Sequence, residues 1–363
     1  MAVIDLEGGT GTFCRTLAGG LRNCGDEFEI SLLLLRESGV RQIDREIFSG
    51  IHVIGTTVHG DWRRFLETPM HAWRLRRAIA RIPSDVIFTV GTYANLLVPV
   101  VARRRNVILS VHTNMTRQLK GVRFAGVIGR LTRWGCRKRL VIVPAEGVAE
   151  DLRENFGARN VKTIWHGVDV GAIRSRAEEN CAPLQVSGPY MVACGRLTAQ
   201  KDYPTLLRAY AEARRRGIGE ELVIIGNGPD REALQGLARE LGIADVVHFV
   251  GHMENPFPVM KGARFFVLSS IWEGFGLVVL EAMALGLPCI ATDCPSGPGE
   301  ILEGGRWGMT IKVGDVQGMA DAIARLSSAE DLRQSLAERS RQRAQELSVE
   351  RMVREYRDVF VGA

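Results

Sequence analysis

The sequence predicts two doubly wound α/β domains, and three observations predict them. Thirteen short apolar runs alternate with helical patterns almost throughout the 363 residues. Most of these runs lack strict polar–apolar alternation, so they read as strands buried on both faces, the mark of parallel strands covered by helices. A polar, Pro-containing stretch, "NCAPLQVSGP" at residues 180–189, separates seven runs from six. The length allows each domain its own core. With 46% hydrophobic and 24% charged residues, the chain is of the soluble globular class.

In the first domain the strands are "AVIDL", "EISLLLL", "IHVIG", "DVIFTV", "NVILSV", "LVIV" and "VKTIW". The leading strand is short and runs into "EGGTGTF", residues 7–13, where Gly8, Gly9 and Gly11 predict a flexible loop at a helix N-terminus, suited to a phosphate or a sugar. It is no dinucleotide fingerprint: the third glycine would fall at Cys14, and the acid expected about twenty residues later is absent. "ILSVHTNM" sets His112 just past a buried strand, where nearby cations are expected to keep the imidazole neutral. In residues 117–139, Arg123, Arg130, Arg133 and Arg137 fall on one side of a helix, and Phe124, Val127, Ile128, Leu131 and Trp134 on another. The apolar side is expected to be buried on the sheet. The arginines, with Arg63, Arg64, Arg74, Arg76, Arg77 and Arg103 to Arg105, make a cationic surface able to attract anionic lipid.

In the second domain the strands are "YMVAC", "LVIIG", "VVHFV", "RFFVLS", "PCIAT" and "GMTIKV". "VACGRLTAQKDYPTLLRAY" ends its strand at Cys194, turns at Gly195, presents Arg196 and Lys201, and begins a helix at Pro204. Two cations beyond a strand's carboxyl end can neutralise charge on a departing diphosphate. "FFVLSSIWEGFGLVVLEAMALGLP" ends its strand before Glu273 and starts a helix near Gly276 or Leu277. Gly286, followed by Pro288, ends that helix. Gly274, Phe275 and Gly276 therefore lie at a helix N-terminus, an anion site that glycines open to close approach. Glu281 lies about one turn inside. Carboxylates on both sides of a phosphate site suit hydroxyl recognition on both sides of a diphosphate. Residues 331–361 read as helical, and the terminal helix is expected to return to the first domain.

Composition excludes other classes. "MAVIDLEGG" has no basic lead or long apolar run, and "VIFTVGTYANLLVPVVA" is too short and too interrupted to span a bilayer. Seven cysteines without a CxxC pair predict reduced thiols and a cytoplasmic protein. The His and Cys residues show no metal-ligand spacing. The net charge of +6 is uneven: residues 1–180 carry 27 basic and 18 acidic side chains, residues 181–363 carry 20 and 23. From Val86 to Ala145 there are 11 basic residues and no acid. A basic first half predicts an anionic partner. Without an aromatic–basic recognition module, nucleic acid is not the expected one. The failed fingerprint likewise disfavours a nicotinamide-dependent oxidoreductase.

"GRLTAQKD" followed by "EGFGLVVLEAMALGLPCIATD", with "IIGNGPDREAL" and "VVHFVGHMEN" between them, resembles the carboxyl-domain signature of the retaining glycosyltransferases of family 4, glycosyltransferase group 1. The likeness is close from residue 187 to about 320 and looser before. It implies the GT-B fold: two Rossmann-like domains facing across a cleft, with residues 1–180 binding the acceptor, 181–345 the nucleotide sugar, and a helix in 346–363 packing back on the first domain. It implies that Arg196 and Lys201, beyond the Gly195 turn, hold a diphosphate. Glu273, with the backbone of Gly274, Phe275, Gly276 and Leu277, would hold the donor sugar, and Glu281 the ribose. Gly251 to Met253 would meet the base. Gly9 and Gly11 would border the phosphates and acceptor, and His112 the reacting sugar. "CPSGPGEIL", residues 294–302, resembles a variant of members acting on polysaccharide or lipid-linked intermediates. His166 stands where the family more often has Asn, and Ala145 where Ser is common. The implied reaction moves a hexose or N-acetylhexosamine, with retention and without metal or other cofactor, from a UDP-sugar (GDP being open) to a hydroxyl. The basic first domain points to a lipid-linked glycan acceptor at the inner membrane face; a soluble small-molecule acceptor is the alternative.

Overall fold

The computed structural model describes all residues except 4, 5, 7, 26, 27, 36, 37, 56–62, 123, 182, 183 and 185, and for 2, 3, 8 and 63–67 the backbone alone. The chain forms two compact units, one of Met1–Trp165 with Val349–Ala363, the other of His166–Ser348.

The first unit carries β1 (Ala2–Val3), β2 (Ser31–Leu34), β3 (Gly50–Val53), β4 (Val86–Val90), β5 (Asn106–Ser110), β6 (Leu140–Val143) and β7 (Asn160–Thr163). Among the described residues these pair in parallel in the order β3-β2-β1-β4-β5-β6-β7. The order reverses between β1 and β4, and at such a switch point the loops beyond the carboxyl ends open a crevice. Leu32, Leu34, Ile108 and Ile142 supply the centre of one core, closed by Leu17 and Leu21 of the helix Gly8–Arg22.

The second unit carries β8 (Tyr190–Cys194), β9 (Glu221–Ile225), β10 (Val247–Gly251), β11 (Phe266–Leu268), β12 (Cys289–Thr292) and β13 (Met309–Ile311). Its parallel order is β10-β9-β8-β11-β12-β13, with the switch point between β8 and β11. Each expected run thus contains a strand. β8, β9, β11 and β12 are covered on both faces, which is why their sequences do not alternate.

Four expectations differ from what is found. The units divide at Trp165/His166 and Ser348/Val349, not at 180/181 and 345/346. The reason is the helix Val170–Arg176, which hydrogen-bonds within the second unit: Arg174 Nε donates to the Ala284 carbonyl at 3.1 Å, and an Arg176 guanidinium N–H to the Glu254 carbonyl at 3.0 Å. Gly9 and Gly11 lie inside the first turn of the helix Gly8–Arg22 rather than in a loop. A Cβ at Gly11 would sit 1.8 Å from the Leu6 carbonyl oxygen, so glycine is what lets the helix start this close to the strand. The apolar side of the helix Ala125–Arg137 is not fully covered: Val127 is 49% and Leu131 39% exposed, with Phe124 before them 46% exposed in the left-handed region. Finally, burial rather than neighbouring cations depresses the His112 imidazole.

Of the expected cationic surface, Arg123 and the side chains of Arg63 and Arg64 lie outside the described residues. Arg74, Arg76, Arg77, Arg103, Arg104, Arg105, Arg130, Arg133 and Arg137 are described, and most are exposed. No helix among the described residues is long and apolar enough to cross a membrane.

Candidate active site

The chemistry-bearing residues of the second unit gather on the loops that leave β8 and β11, the pair flanking its switch point. Gly195 follows β8, and its N–H donates to the Ile225 carbonyl at 2.9 Å, prolonging the sheet by one residue. An added Cβ there would meet Lys201 Cε at 3.1 Å, so the lysine stem folds over the turn. Lys201 closes a short helical turn, Ala199–Lys201, and the helix Tyr203–Arg215 begins after Asp202, whose φ is +46°.

Two bonds stitch the β8 loop to the β11 loop, one from a side-chain amide and one between backbones. Gln200 Nε2 donates to the Trp272 carbonyl at 2.9 Å, and the Ile271 N–H to the Gln200 carbonyl at 2.8 Å. They bring Lys201 Nζ to 2.5 Å from Glu273 Oε1 across 72 residues of sequence. Ser270 Oγ donates to that same oxygen at 2.6 Å, and Ser269 Oγ to the Lys201 carbonyl at 2.7 Å. From the far side, Ser296 Oγ donates to the Glu273 carbonyl at 2.6 Å, and Thr292 Oγ1 to the Ser270 carbonyl at 2.6 Å. Glu273 is 7% exposed. A carboxylate so buried demands a cation and hydrogen bonds, and both are supplied on one oxygen.

Gly276, at φ +84°, delivers the chain into the helix Leu277–Ala284, and Gly286, at φ +80°, lies just past its end. Behind the Gly274–Gly276 turn sits Gly297, where a Cβ would fall 2.1 Å from the Phe275 carbonyl oxygen. The segment after β12 is therefore pressed onto the turn, backbone to backbone.

Glu281 lies within the helix Leu277–Ala284, beyond the turn that Glu273 precedes. It is half-buried, and burial pushes its carboxyl up to about 7, opposed by the charge of Arg176. It also acts on Cys194 at the end of β8, whose thiol is pushed up to about 12 by burial first and Glu281 second, with Lys201 acting in the opposite direction. Glu281 and Lys201 thus lie close enough to the same thiol to share one electrostatic environment. Arg196 is exposed on the same loop and, among the described residues, makes no ion pair. Gly251 has φ +83° and accepts from the Gly226 N–H at 2.7 Å, while Met253 beyond it is half-buried.

The sequence reading missed the hydroxyls. Ser269, Ser270, Thr292 and Ser296 fix the Lys201–Glu273 pair, and their signal was a pair of serines directly after a fully apolar strand.

In the first unit His112 follows β5. Its Nε2 is 2.7 Å from Ser110 Oγ, and its ring meets Phe13 edge-on with centroids 4.5 Å apart. Burial lowers its pKa to about 4, so the ring is neutral at pH 7. Phe13 stands on the helix that contains Gly9 and Gly11, so the helix start and His112 share one neighbourhood.

Comparison with known proteins bears on both halves. Residues 7–172 match the model of Glycosyltransferase Family 4, and residues 178–343 that of Glycosyl transferases group 1. The N-acetylgalactosamine-N,N'-diacetylbacillosaminyl-diphospho-undecaprenol 4-alpha-N-acetylgalactosaminyltransferase of Campylobacter jejuni is 22% identical over 306 residues, 82% of each chain. The lipopolysaccharide 1,6-galactosyltransferase of Salmonella typhimurium is 38% identical over 194 residues, 51% of this chain and 52% of that one. Several other curated relatives are likewise matched over about half their length. HepE of Anabaena, solved in complex with UDP and glucose, has a TM-score of 0.81 at 18% identity, over the whole of both chains. Matched on both halves and alike in fold, the chain belongs to the glycosyltransferases of group 1, family 4, with the GT-B architecture.

Proposed function

We propose that the chain transfers a hexose or N-acetylhexosamine, with retention of configuration, from a UDP-sugar to a hydroxyl of a lipid-linked glycan. The observation that carries the donor half is the buried Lys201–Glu273 pair beside a glycine turn at a helix N-terminus, with Glu281 in the same helix. In this reading Arg196 and Lys201 neutralise the departing diphosphate together with the N–H groups of Gly276 and Leu277. Glu273 steers the Lys201 ammonium through Oε1, and its Oε2 accepts from a donor-sugar hydroxyl, helped by the backbone of Gly274 and Phe275. Glu281 takes the ribose hydroxyls. Gly195 gives the turn its close approach, and Gly251 to Met253 border the base. His112, neutral and oriented by Ser110, accepts or donates one hydrogen bond near the reacting sugar, and Gly9 and Gly11 border the acceptor. The leaving phosphate assists deprotonation of the acceptor, without a metal.

The acceptor half is supported by the relative from Campylobacter, whose name specifies a diphospho-undecaprenol substrate. It is supported also by the exposed Phe124, Val127 and Leu131 amid Arg117, Lys120 and Arg130, in a stretch without an acid. Apolar side chains ringed by cations suit peripheral contact with an anionic membrane.

Thermal unfolding with UDP, GDP, ADP, NAD and their sugars, in wild type and Glu281→Ala, tests the donor. A ligand at a hundred times its Kd adds about 2.7 kcal/mol. A rise with uridine nucleotides alone, much smaller in the variant, is expected; no rise with any nucleotide overturns the reading. The anomeric configuration of the product, by proton NMR, tests retention, and unchanged turnover in EDTA tests independence of metal.

A further inference from the structure

The first unit carries a second concave feature at the ends of the strands opposite His112. A cavity of about 670 Å3 opens at Asn106, Leu140 and Asn160, the first residues of β5, β6 and β7. That volume lies within the range of small-molecule sites, roughly 300–1,000 Å3. Four cations line it, Arg103, Arg105, Lys138 and Arg139, against the carboxylate of Asp358; Asn106 Nδ2 donates to the Ala363 carbonyl at 2.9 Å.

Its three arginines are held in place by neutral partners. Arg105 Nη2 donates to the carbonyl and hydroxyl of Ser84 at 2.6 and 2.8 Å, and Arg139 Nη2 to the Pro99 carbonyl at 3.0 Å. The guanidiniums of Arg103 and Arg139 both lie over the ring of Trp134, at 5.6 and 5.1 Å. Among the described residues, none of the four cations makes an ion pair. A guanidinium has five N–H donors, so these few bonds orient each fork and leave donors over.

A simpler account is that basic residues just past helix C-termini complement the helix dipole. It covers Arg139 on Pro99, since the helix Thr92–Val101 ends there. It does not cover two guanidiniums sharing one indole, an arrangement in which burial, and to a smaller degree Arg103, makes Arg139 less basic. Forks already oriented, and carrying more positive charge than the cavity answers, match an anion with several oxygens. We propose that this cavity is a binding site for a phosphate-bearing ligand, separate from the nucleotide-sugar site and independent of its reading. The ligand is either a free diphosphate or the headgroup of an anionic lipid; both present the same oxygens to the same arginines.

The test reads the indole itself. Protein labelled with 5-fluorotryptophan, with the Trp134 resonance assigned through Trp134→Phe, is titrated with inorganic pyrophosphate and, separately, with monomeric dihexanoyl-phosphatidylglycerol. Pyrophosphate bound at the loops of the second unit leaves this signal still. A saturable shift is expected with one of the probes, weakened about tenfold or more in Arg105→Gln/Lys138→Gln, which removes two charged donors. Asp358→Asn should tighten it, a gain that misfolding cannot imitate. Saturation by pyrophosphate identifies a soluble ligand, and saturation by the lipid alone a headgroup. No saturable shift with either, or one indifferent to both charge changes, overturns the proposal.

Discussion

Burial holds the Glu281 carboxyl near pH 7, against 4.5 for a solvated glutamate, with Arg176 pulling it back. The sign of the consequence is fixed. A group whose folded pKa is raised stabilises fully below its unfolded value, and that contribution is lost as pH rises from about 4.5 through about 7. Glu281→Gln, uncharged at every pH, should therefore lose that part of the decline, and melting temperatures measured from pH 4 to 8 will tell. Ribose hydroxyls donating to Glu281 would favour its charged form, so uridine nucleotide affinity should rise with pH up to about 7 and lose that rise in Glu281→Gln. At this scale the placement of Glu273, Glu281, Arg196 and Lys201 on their elements was legible, because each stands at a fixed offset from a strand end or a helix start; their roles are the reading proposed above. The Lys201–Glu273 bond was not, because it depends on β8 and β11 lying side by side, and no local pattern encodes that adjacency. The protonation of His112 was legible in outcome and not in cause: the charges around it were visible in the sequence, but its burial was not.

Strands were the legible elements, since a run of apolar residues between turn signals has few other uses. The start of the first helix was not. Glycine disfavours helix interiors, so Gly8, Gly9 and Gly11 argued for a loop, and only the nearness of the Leu6 carbonyl shows why Gly11 serves a helix. The helix Ala125–Arg137 has a two-sided pattern that defines an apolar face, but not whether anything covers it. The helix Val349–Val361 shows the reverse, a segment with six charged residues among its 13 whose apolar side sits at the centre of a core. Tyr356 is 1% exposed and meets Phe13, Phe88 and Phe360 at centroid distances of 5.8, 5.7 and 5.9 Å. Tyr356→Ala should cost the first unit about 3–5 kcal/mol, the range for emptying a buried aromatic site. Urea denaturation followed by a probe in each unit should show the first unit alone shifting to lower midpoint.

Across the whole molecule, the doubly wound class followed from alternation, whereas the division into units did not follow from composition. "NCAPLQVSGP" looks like a linker, yet the helix Val170–Arg176 before it already belongs to the second unit, tied there by arginine bonds to carbonyls more than 70 residues away. The second unit is a continuous stretch, His166–Ser348, whereas the first draws its last helix from Val349–Ala363. Met352, Val353, Tyr356 and Val359 belong to the core built by the first 165 residues. A ribosome therefore emits the beginning of the first unit early and its closing helix only after the whole second unit. Domains usually fold in the order of synthesis; here the later-made unit can finish first, while the earlier one waits with an unsealed face. A chain extended after Ala363 by a linker and an arrest sequence, so that Ser348 has cleared the exit tunnel while Val349–Ala363 is still inside it, should show protease resistance in the second unit and a first unit that is still cut. Resistance of both at that length would mean that the first unit closes without its last helix.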